Sequence, residues 1–293
     1  GTAPFHRREL YGGSYPLQLM SVFNPAGGAL GLYTEDTADG TRFWNMSKDA
    51  DGVDMSLESW RRELAPGETL ETVPVVLRAH TGDWRRSLAI YREWAASWYT
   101  PRVERKDWFR KAFYYQQTLA WGRVCDPATG TWHMAETIQT FRDYFGCLDY
   151  LHIFDFGQSL HYGRVGDYQH YDDLGGLAAM RAAIAQAQEM GVPIGLYLEG
   201  YLCDERSLWG RDHVARNDIR RQDGSPLLWP GTPTEHMMCG AAQGWTDHLA
   251  ETYKRVADDL SPSGMYIDQY GFIDTWKTCW AADHGHPVPQ API

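Results

Sequence analysis

Three carboxylates stand at or next to the ends of short apolar runs, where an enzyme would hold an acid or a nucleophile. They are Asp155 in HIFDFG, Glu199 in LYLEGY and Asp268 in MYIDQYG. If the three runs are parallel strands, their carboxyl ends face one side of the sheet and bring the three side chains together. Two carboxylates with separated pKa values are what a glycosidase requires, one as nucleophile and one as general acid.

Asp268 is the predicted nucleophile. It follows three apolar or aromatic residues of a strand expected to be buried, where an unpaired charge is costly. The alternative is a structural carboxylate, held by backbone N–H groups or by an arginine. Glu199 is the second predicted catalytic residue, as acid/base or as a ligand of substrate hydroxyls, and Gly200 would let a ligand approach the backbone. A salt bridge inside the protein would explain Glu199 equally well.

Aromatic residues are abundant, at 14% of the chain with 13 Trp and 17 Tyr. Trp and Tyr combine a flat apolar face with one polar group, which suits stacking on sugar rings as well as packing in a core. We therefore expect several of them to contact a carbohydrate, together with polar residues near the strand ends. The predicted substrate-binding residues are Asp155, Trp121, Tyr197, Trp229, Tyr270, His284 and His286.

The segment DHGHP at 283–287 has the composition of a metal site. Two histidines at i and i+2 in a loop are a weak signal without a third ligand at a fixed spacing, so hydrogen bonding to substrate or simple loop structure is favoured. The five cysteines are scattered, odd in number and without a CxxC pair. They fit neither a disulfide framework nor a zinc cluster, and the sequence predicts no metal and no cofactor.

The elements that would position these residues alternate between strand and helix from residue 111 onward. Strands are predicted at 111–118, 149–156, 194–202 and 265–270, with helices at 135–145, 177–187 and 245–260. This order predicts an α/β fold with a parallel sheet and right-handed crossovers. The long loops follow the strands, as in a (β/α)8 TIM-type barrel. No GxGxxG or Walker A motif follows a strand, which disfavours a doubly wound nucleotide-binding sheet.

Only four strands can be found in the barrel region, whereas a complete barrel has eight. The sequence therefore predicts the first half of a barrel, with the rest supplied by the remainder of a larger polypeptide or by a second chain. Residues 1–82 read as short β-runs separated by Gly-containing turns, which predicts part of an antiparallel β-sandwich. Asp83 should cap a helix that ends before Pro101. The predicted divisions are 1–82, a linker helix and connection at 83–110, and the barrel portion at 111–293.

Charge and hydropathy exclude several partners. The chain has 27 basic and 38 acidic side chains, a formal net charge of −11. Without a basic stripe, this charge argues against nucleic acid or an anionic membrane surface as a partner. No run approaches the ~18 apolar residues of a membrane helix, and residues 1–10 lack a signal-peptide core. The expected partner is a carbohydrate substrate, and the compartment stays open between cytoplasmic and secreted.

Four stretches resemble a known family. They are residues 61–99, HMMCGAAQGWTDHL at 236–249, GMYIDQYG at 264–271 and CWAADHGHP at 279–287. They resemble large bacterial glycosidase-like proteins, many uncharacterised, which are similar in layout to melibiase-type α-galactosidases and endo-α-N-acetylgalactosaminidases. The resemblance implies a retaining glycosidase barrel behind a β-sandwich, with Asp268 as the fourth-strand nucleophile. It also implies an acid/base on a later strand, which this sequence does not reach.

From the residues and the resemblance together we expect a glycoside hydrolase that cleaves O-glycosidic bonds of an oligo- or polysaccharide. Two alternatives belong to other classes. One is a carbohydrate-binding protein on a degenerate barrel that cleaves nothing. The other is a half-barrel that dimerises to bury its open sheet, which would need an interface of more than about 2,000 Å².

Overall fold

The computed structural model describes residues 3–10, 17–37, 42–59, 64–156, 165–169, 171–269, 278–286 and 288–289. In this part of the chain the strands are β1 (Phe5–Leu10), β2 (Leu19–Asn24), β3 (Gly28–Thr34), β4 (Arg42–Lys48), β5 (Val53–Ser59), β6 (Val75–Thr81), β7 (Tyr115–Leu119), β8 (Cys125–Asp126), β9 (Thr131–Trp132), β10 (Tyr150–Phe154), β11 (Ile194–Glu199), β12 (Leu202–Asp204), β13 (Glu235–Met237) and β14 (Gly264–Asp268). The helices are α1 (Trp84–Trp98), α2 (Asp107–Lys111), α3 (Met134–Phe145), α4 (Leu177–Glu189), α5 (Gly210–His213) and α6 (Gln243–Leu260).

The amino-terminal strands form two antiparallel sheets. One has the order β1-β4-β5 and the other β2-β3-β6. Met20 and Leu32 of the second sheet share a buried cluster with Trp44 of the first, so the two sheets have a common core. This confirms an antiparallel β-region. The sequence pattern missed β1 and β4, because their charged and polar residues hide the alternation.

Helix α1 connects this region to the rest of the chain. Its first turn is capped by Asp83, whose carboxylate accepts a hydrogen bond of 2.9 Å from the backbone N–H of Arg85. The buried ring of Tyr91 meets Tyr33 of β3 edge-on at 5.8 Å between centroids. The predicted cap and the predicted end before Pro101 are thus confirmed. The domain boundaries at residues 82 and 110 stay predictions.

The second half of the chain is built on a parallel sheet of four strands in the order β14-β11-β10-β7. The spatial order of these four strands is therefore the same as their order along the chain. A doubly wound sheet has a point at which the strand order reverses, and the described strands contain none. The predicted parallel α/β sheet is confirmed. Its closure into a barrel stays a prediction, since the described strands form an open sheet with β14 and β7 at its edges.

Helices α3, α4 and α6 cover one face of this sheet. Their apolar residues pack on Leu151, Ile153, Leu196 and Leu198 in a single core. The central strand β11 is buried along its whole length, as its nearly continuous apolar sequence IGLYLE suggests. The opposite face carries mainly polar and aromatic residues. We call it the tyrosine-rich face, and its residues are Tyr115, Gln117, Leu119, Tyr150, His152, Phe154, Tyr197, Glu199, Tyr266 and Asp268.

Residues 203–244 were predicted to form a long loop, but the segment 200–242, which joins β11 to α6, contains ordered structure. Strands β12 and β13 pair antiparallel within it. A second buried cluster, around Trp245 at the start of α6, includes Cys203, Met237 and Cys239. None of the helices among the described residues is both long and apolar enough to cross a membrane.

Candidate active site

Two of the predicted carboxylates meet at one tyrosine. The hydroxyl of Tyr197 lies 2.9 Å from Oε2 of Glu199 and 2.8 Å from Oδ2 of Asp268. The backbone produces this meeting directly, because Glu199 and Asp268 are register partners at the carboxyl ends of β11 and β14. Tyr197 precedes Glu199 by two residues and therefore lies on the same face of the strand. The predicted pair is brought together as the strand ends suggested.

One hydroxyl proton serves two carboxyl groups in this arrangement. Burial first, and then the charge of Glu199, raises the pKa of Tyr197, so its hydroxyl keeps its proton. That proton can be donated to only one of the two oxygens at a time. Both contacts are hydrogen bonds only if one carboxyl group is protonated and donates to the tyrosine oxygen. The triad therefore has room for one proton beyond that of the tyrosine.

Glu199 is the carboxyl group best suited to carry that proton. Its side chain is buried, and burial raises its pKa to about 7, with Asp268 adding to the shift. The hydrogen bond from Tyr197 acts in the opposite direction. A further bond of 3.0 Å from the backbone N–H of Tyr201 fixes Oε1. Near neutral pH Glu199 is thus poised to give or take a proton, the property required of a general acid/base.

Asp268 is held by a second tyrosine. The hydroxyl of Tyr266, two residues earlier on the same strand, donates to Oδ1 at 3.0 Å. The backbone N–H of Gly200 donates to the carbonyl oxygen of Asp268 at 2.9 Å, which ties the two strand ends together. Gln269, the next residue, has φ of 57°, so the chain turns sharply just after the carboxylate. Asp268 is partly accessible, in contrast to buried Glu199.

The tyrosine-rich face lines a cavity of about 590 Å³ that reaches Asp268. At its far end the ring of Trp108 from α2 stacks on Tyr150, with centroids 5.3 Å apart and an interplanar angle of 13°. The walls between these ends are mostly aromatic. Such rings can stack on the apolar face of a sugar or pack against further protein, and Asp268 is the carboxylate among the residues that line the cavity.

His152 and Tyr266 are functional candidates that sequence reasoning did not select. His152 is buried in the cavity wall, edge-on to Tyr266 at 5.5 Å between centroids, and burial lowers its pKa to about 4. It is therefore a neutral hydrogen-bonding group at physiological pH. Strand alternation could have identified both residues, because residues two positions apart lie on the same face of a strand. Tyr266 lies two positions before Asp268, and His152 lies two positions before Phe154.

Asp155 stands apart from the pair. It follows β10 with φ of 52°, and its Oδ1 accepts a hydrogen bond of 2.7 Å from the backbone N–H of Ala120. Burial raises its pKa to about 6. Trp121 is beside it, with its indole N–H donating to the Asp155 carbonyl oxygen at 3.2 Å. These contacts connect the ends of two neighbouring strands, and neither residue lines the described cavity.

The other predicted substrate-binding residues are distributed elsewhere. Tyr197 is in the site itself. Trp229 packs against the second core, in the segment 200–242. His284 and His286 lie beside two buried cysteines, away from the lining of the cavity. Tyr270 lies outside the described residues. The substrate-binding roles of this group stay predictions.

Comparison with known proteins gives the family and the fold. Residues 71–290 match the family model described as "Domain of unknown function (DUF6259)". A "Putative glycoside hydrolase" of Bacteroides thetaiotaomicron is 24% identical in an alignment over 207 residues that covers 67% of this chain and 29% of that protein. Among solved structures, α-galactosidase TtGalA of Thermus thermophilus aligns at a TM-score of 0.56 and 12% identity over 88% of this chain and 46% of its own. A cycloalternan-degrading enzyme from Trueperella pyogenes aligns at 0.56 and 15%, over 86% and 37%.

These comparisons agree with the resemblance found in the sequence motifs, since the relative is named a glycoside hydrolase and α-galactosidases share the fold. The chain spans less than a third of the length of the curated relative and less than half of either solved structure. The family model covers about three quarters of the 293 residues, including both strands that carry the carboxylate pair. The chain belongs to the family of the domain of unknown function DUF6259.

Proposed function

We propose that this chain carries the catalytic centre of a retaining glycoside hydrolase, with Asp268 as nucleophile and Glu199 as acid/base. The observation that carries the proposal is the pair of carboxyl groups at neighbouring strand ends, joined through the Tyr197 hydroxyl. The glycoside hydrolase relative and the shared fold of α-galactosidases support it. The substrate class is an oligo- or polysaccharide.

The separation of the two groups suits a double displacement. Glu199 Oε2 and Asp268 Oδ2 lie 2.9 and 2.8 Å from the Tyr197 hydroxyl oxygen, so these two carboxylate oxygens are at most about 5.7 Å apart. Retaining glycosidases hold their two carboxyl groups about 5–5.5 Å apart, whereas inverting enzymes leave room for a water at about 6.5–9.5 Å. The geometry therefore favours the retaining class.

In the first step an Asp268 oxygen bonds to the anomeric carbon while the glycosidic C–O bond breaks. The departing oxygen takes the proton of Glu199. In the second step Glu199 removes a proton from water as that water attacks the anomeric carbon, and the bond to Asp268 breaks. The sugar leaves with its original anomeric configuration, and both residues return to their starting state. Tyr197 and Tyr266 would hold the nucleophile in place throughout.

We further propose that the parallel sheet is half of a (β/α)8 barrel preceded by a β-sandwich. The consecutive strand order supports this, as does the fraction of each α-galactosidase-like structure that the chain matches. On the tyrosine-rich face, Tyr115 is 64% exposed on edge strand β7 and Tyr266 is 51% exposed on edge strand β14. Further strands would bury these rings as the barrel core. Only the end with the carboxyl pair would then remain open to substrate.

The test is hydrolysis of a panel of aryl α- and β-glycosides and oligosaccharides by the full-length protein. Asp268→Asn should lower kcat by several powers of ten, as removal of a nucleophile does. Asp173→Asn changes an exposed carboxylate that does not line the cavity and should leave kcat unchanged. NMR of the first product formed should show retained configuration. Asp268→Gly with added azide should release a glycosyl azide of the opposite configuration, which a structural role would not produce.

Full turnover by Asp268→Asn would overturn the nucleophile assignment, and an inverted product would overturn the retaining mechanism. If the wild-type protein bound sugars saturably in calorimetry but cleaved no member of the panel, the carbohydrate-binding alternative would replace the enzyme.

A further inference from the structure

Four potential metal ligands converge in a part of the protein that the proposed catalysis does not use. Cys239, Cys279, His284 and His286 each offer one ligand atom, and these atoms all lie within 4.8 Å of one another. Both cysteines are fully buried free thiols, and His284 is only 7% exposed. The ligands come from two segments separated by the whole of α6 and β14, so only the folded chain assembles them.

The spacing of the atoms fits tetrahedral zinc. With Zn–S near 2.3 Å and Zn–N near 2.05 Å, the edges of a tetrahedral Cys₂His₂ site are roughly 3.3–3.8 Å long. The Cys279 Sγ to His284 Nδ1 distance is 3.5 Å, equal to the mixed sulfur–nitrogen edge within a tenth of an ångström or so. The remaining atoms lie within 4.8 Å of one another and need to approach by about 1.5 Å at most, which rotation of the ligand side chains can supply.

Charge also favours a divalent ion. Two thiolates and Zn²⁺ are together neutral, so a Cys₂His₂ site can be buried without an uncompensated charge. Soft sulfur ligands combined with imidazoles in a tetrahedral arrangement select zinc over the hard cations Mg²⁺ and Ca²⁺. Four protein ligands leave no open position for water, as in structural sites.

The surroundings hold the ligands in position. The His284 ring also interacts with the backbone of Arg216, the kind of outer contact that orients a ligating imidazole. The backbone N–H of Cys239 donates to Asn217 at 2.9 Å, and that of Trp280 donates to Arg220 at 2.9 Å. Both ligand-bearing segments are therefore fastened to the same stretch of the segment 200–242.

We propose that Cys239, Cys279, His284 and His286 bind one Zn²⁺ as a structural site. The ion would hold residues 278–286 against the turn that begins α6. It would thereby fix the chain that follows β14, the strand of Asp268. This assignment replaces the substrate-binding role predicted for His284 and His286, and it does not depend on the glycosidase proposal.

The experiment measures metal in the full-length protein, purified under reducing conditions without chelators. Plasma mass spectrometry should find about one zinc per chain. Cys279→Ser and His286→Ala should reduce the zinc content at least tenfold. Cys147→Ser removes a cysteine outside the cluster and should retain one zinc. X-ray absorption at the zinc edge of the wild-type protein should give two sulfur and two nitrogen ligands, and this readout needs no variant to fold.

A metal-binding dye should report release of one equivalent of zinc when the thiols are blocked with a mercurial. The metal-free protein should also take up one Co²⁺ with the absorption of a tetrahedral thiolate site. The proposal is overturned if the wild-type protein holds less than about a tenth of an equivalent and takes up neither Zn²⁺ nor Co²⁺. It is equally overturned by stoichiometric iron or copper on these residues, or by a Cys239–Cys279 disulfide that persists after purification under reducing conditions.

Discussion

The Tyr197 hydroxyl lowers the pKa of Glu199 and the Asp268 charge raises it, so substitutions of these two residues should move that pKa in opposite directions. Tyr197→Phe removes a hydrogen bond that favours the ionised form of Glu199, so the pKa should rise above its value of about 7. A net hydrogen-bond contribution of roughly 0.5–1.5 kcal/mol corresponds to roughly 0.4–1 pH unit.

Asp268→Asn should lower the same pKa. The substitution removes a negative charge whose nearest oxygen is at most about 5.7 Å from the Glu199 carboxylate. At that separation two charges repel by roughly 0.7 kcal/mol at the permittivity of water and by about 3 kcal/mol at an effective permittivity near 20. The expected decrease is therefore roughly 0.5–2 units.

The assay is a pH titration of the glutamate carboxyl carbons by ¹³C NMR, with Glu199→Gln identifying the resonance. Tyr150→Phe is the matched control, because Tyr150 lies on the same face of the neighbouring strand and its hydroxyl contacts His152 at 3.4 Å. That control should leave the Glu199 titration unchanged. Since the two carboxyl groups interact, each midpoint belongs to the pair rather than to one residue. Shifts of the same sign for Tyr197→Phe and Asp268→Asn would refute the opposing effects of the Tyr197 hydroxyl and the Asp268 charge on the Glu199 pKa.

Three further predictions concern stability. Burial raises the folded-state pKa of Glu199 from 4.5 to about 7, so ionisation of Glu199 destabilises the fold progressively as the pH rises between those values. Glu199→Gln should therefore increase the free energy of unfolding by up to about 3 kcal/mol at pH 8 and by almost nothing at pH 4. Urea unfolding at both pH values measures this difference. A Cβ at Gly195 would lie 1.5 Å from the Tyr150 hydroxyl, so Gly195→Ala should lower the free energy of unfolding by about 1–3 kcal/mol in a thermal melt. Gly264→Ala on the adjacent strand is the control. Its Cβ would meet no atom closer than 3.7 Å, so the loss should be less than about 1 kcal/mol. Asp218 pairs with buried His236 and with Arg220, each at 2.7 Å. Asp218→Asn removes this common anion and should lower the free energy of unfolding by about 3 kcal/mol. A loss below about 0.5 kcal/mol would show that the fold does not depend on the pairing.

The sequence was sufficient for the parts of the fold whose pattern is local. Strands β10, β11 and β14 are apolar runs bounded by Gly, Pro or Asp, and each lies within two or three residues of its predicted limits. The meeting of Glu199 and Asp268 followed from their places at strand ends. Strand β7 begins four residues later than predicted, because Lys111 is the last residue of α2 and the apolar and aromatic residues 112–114 belong to no helix or strand. Single-strand patterns also could not show which tyrosine would join the pair.

The cysteine–histidine cluster could not be predicted from spacing. Cys239 and Cys279 are separated by a complete helix and strand, so the short intervals that mark zinc ligands in a sequence are missing. Only His284 and His286 are close in the chain, and by themselves they carry little information. The convergence depends on how the segment 200–242 packs against residues 278–286, which is a property of the tertiary structure.

The position of β14 at the edge of the parallel sheet has a consequence for handling the protein. Met265, Tyr266 and Ile267 are 38, 51 and 42% exposed, so this short strand presents apolar side chains on both faces together with the hydrogen-bonding groups of a sheet edge. An edge of this kind, with no lysine or proline to interrupt it, is a template for strand pairing between molecules. Any preparation that leaves β14 uncovered should therefore self-associate through the same strand that positions Asp268, and solubility would then depend on whatever pairs with that edge.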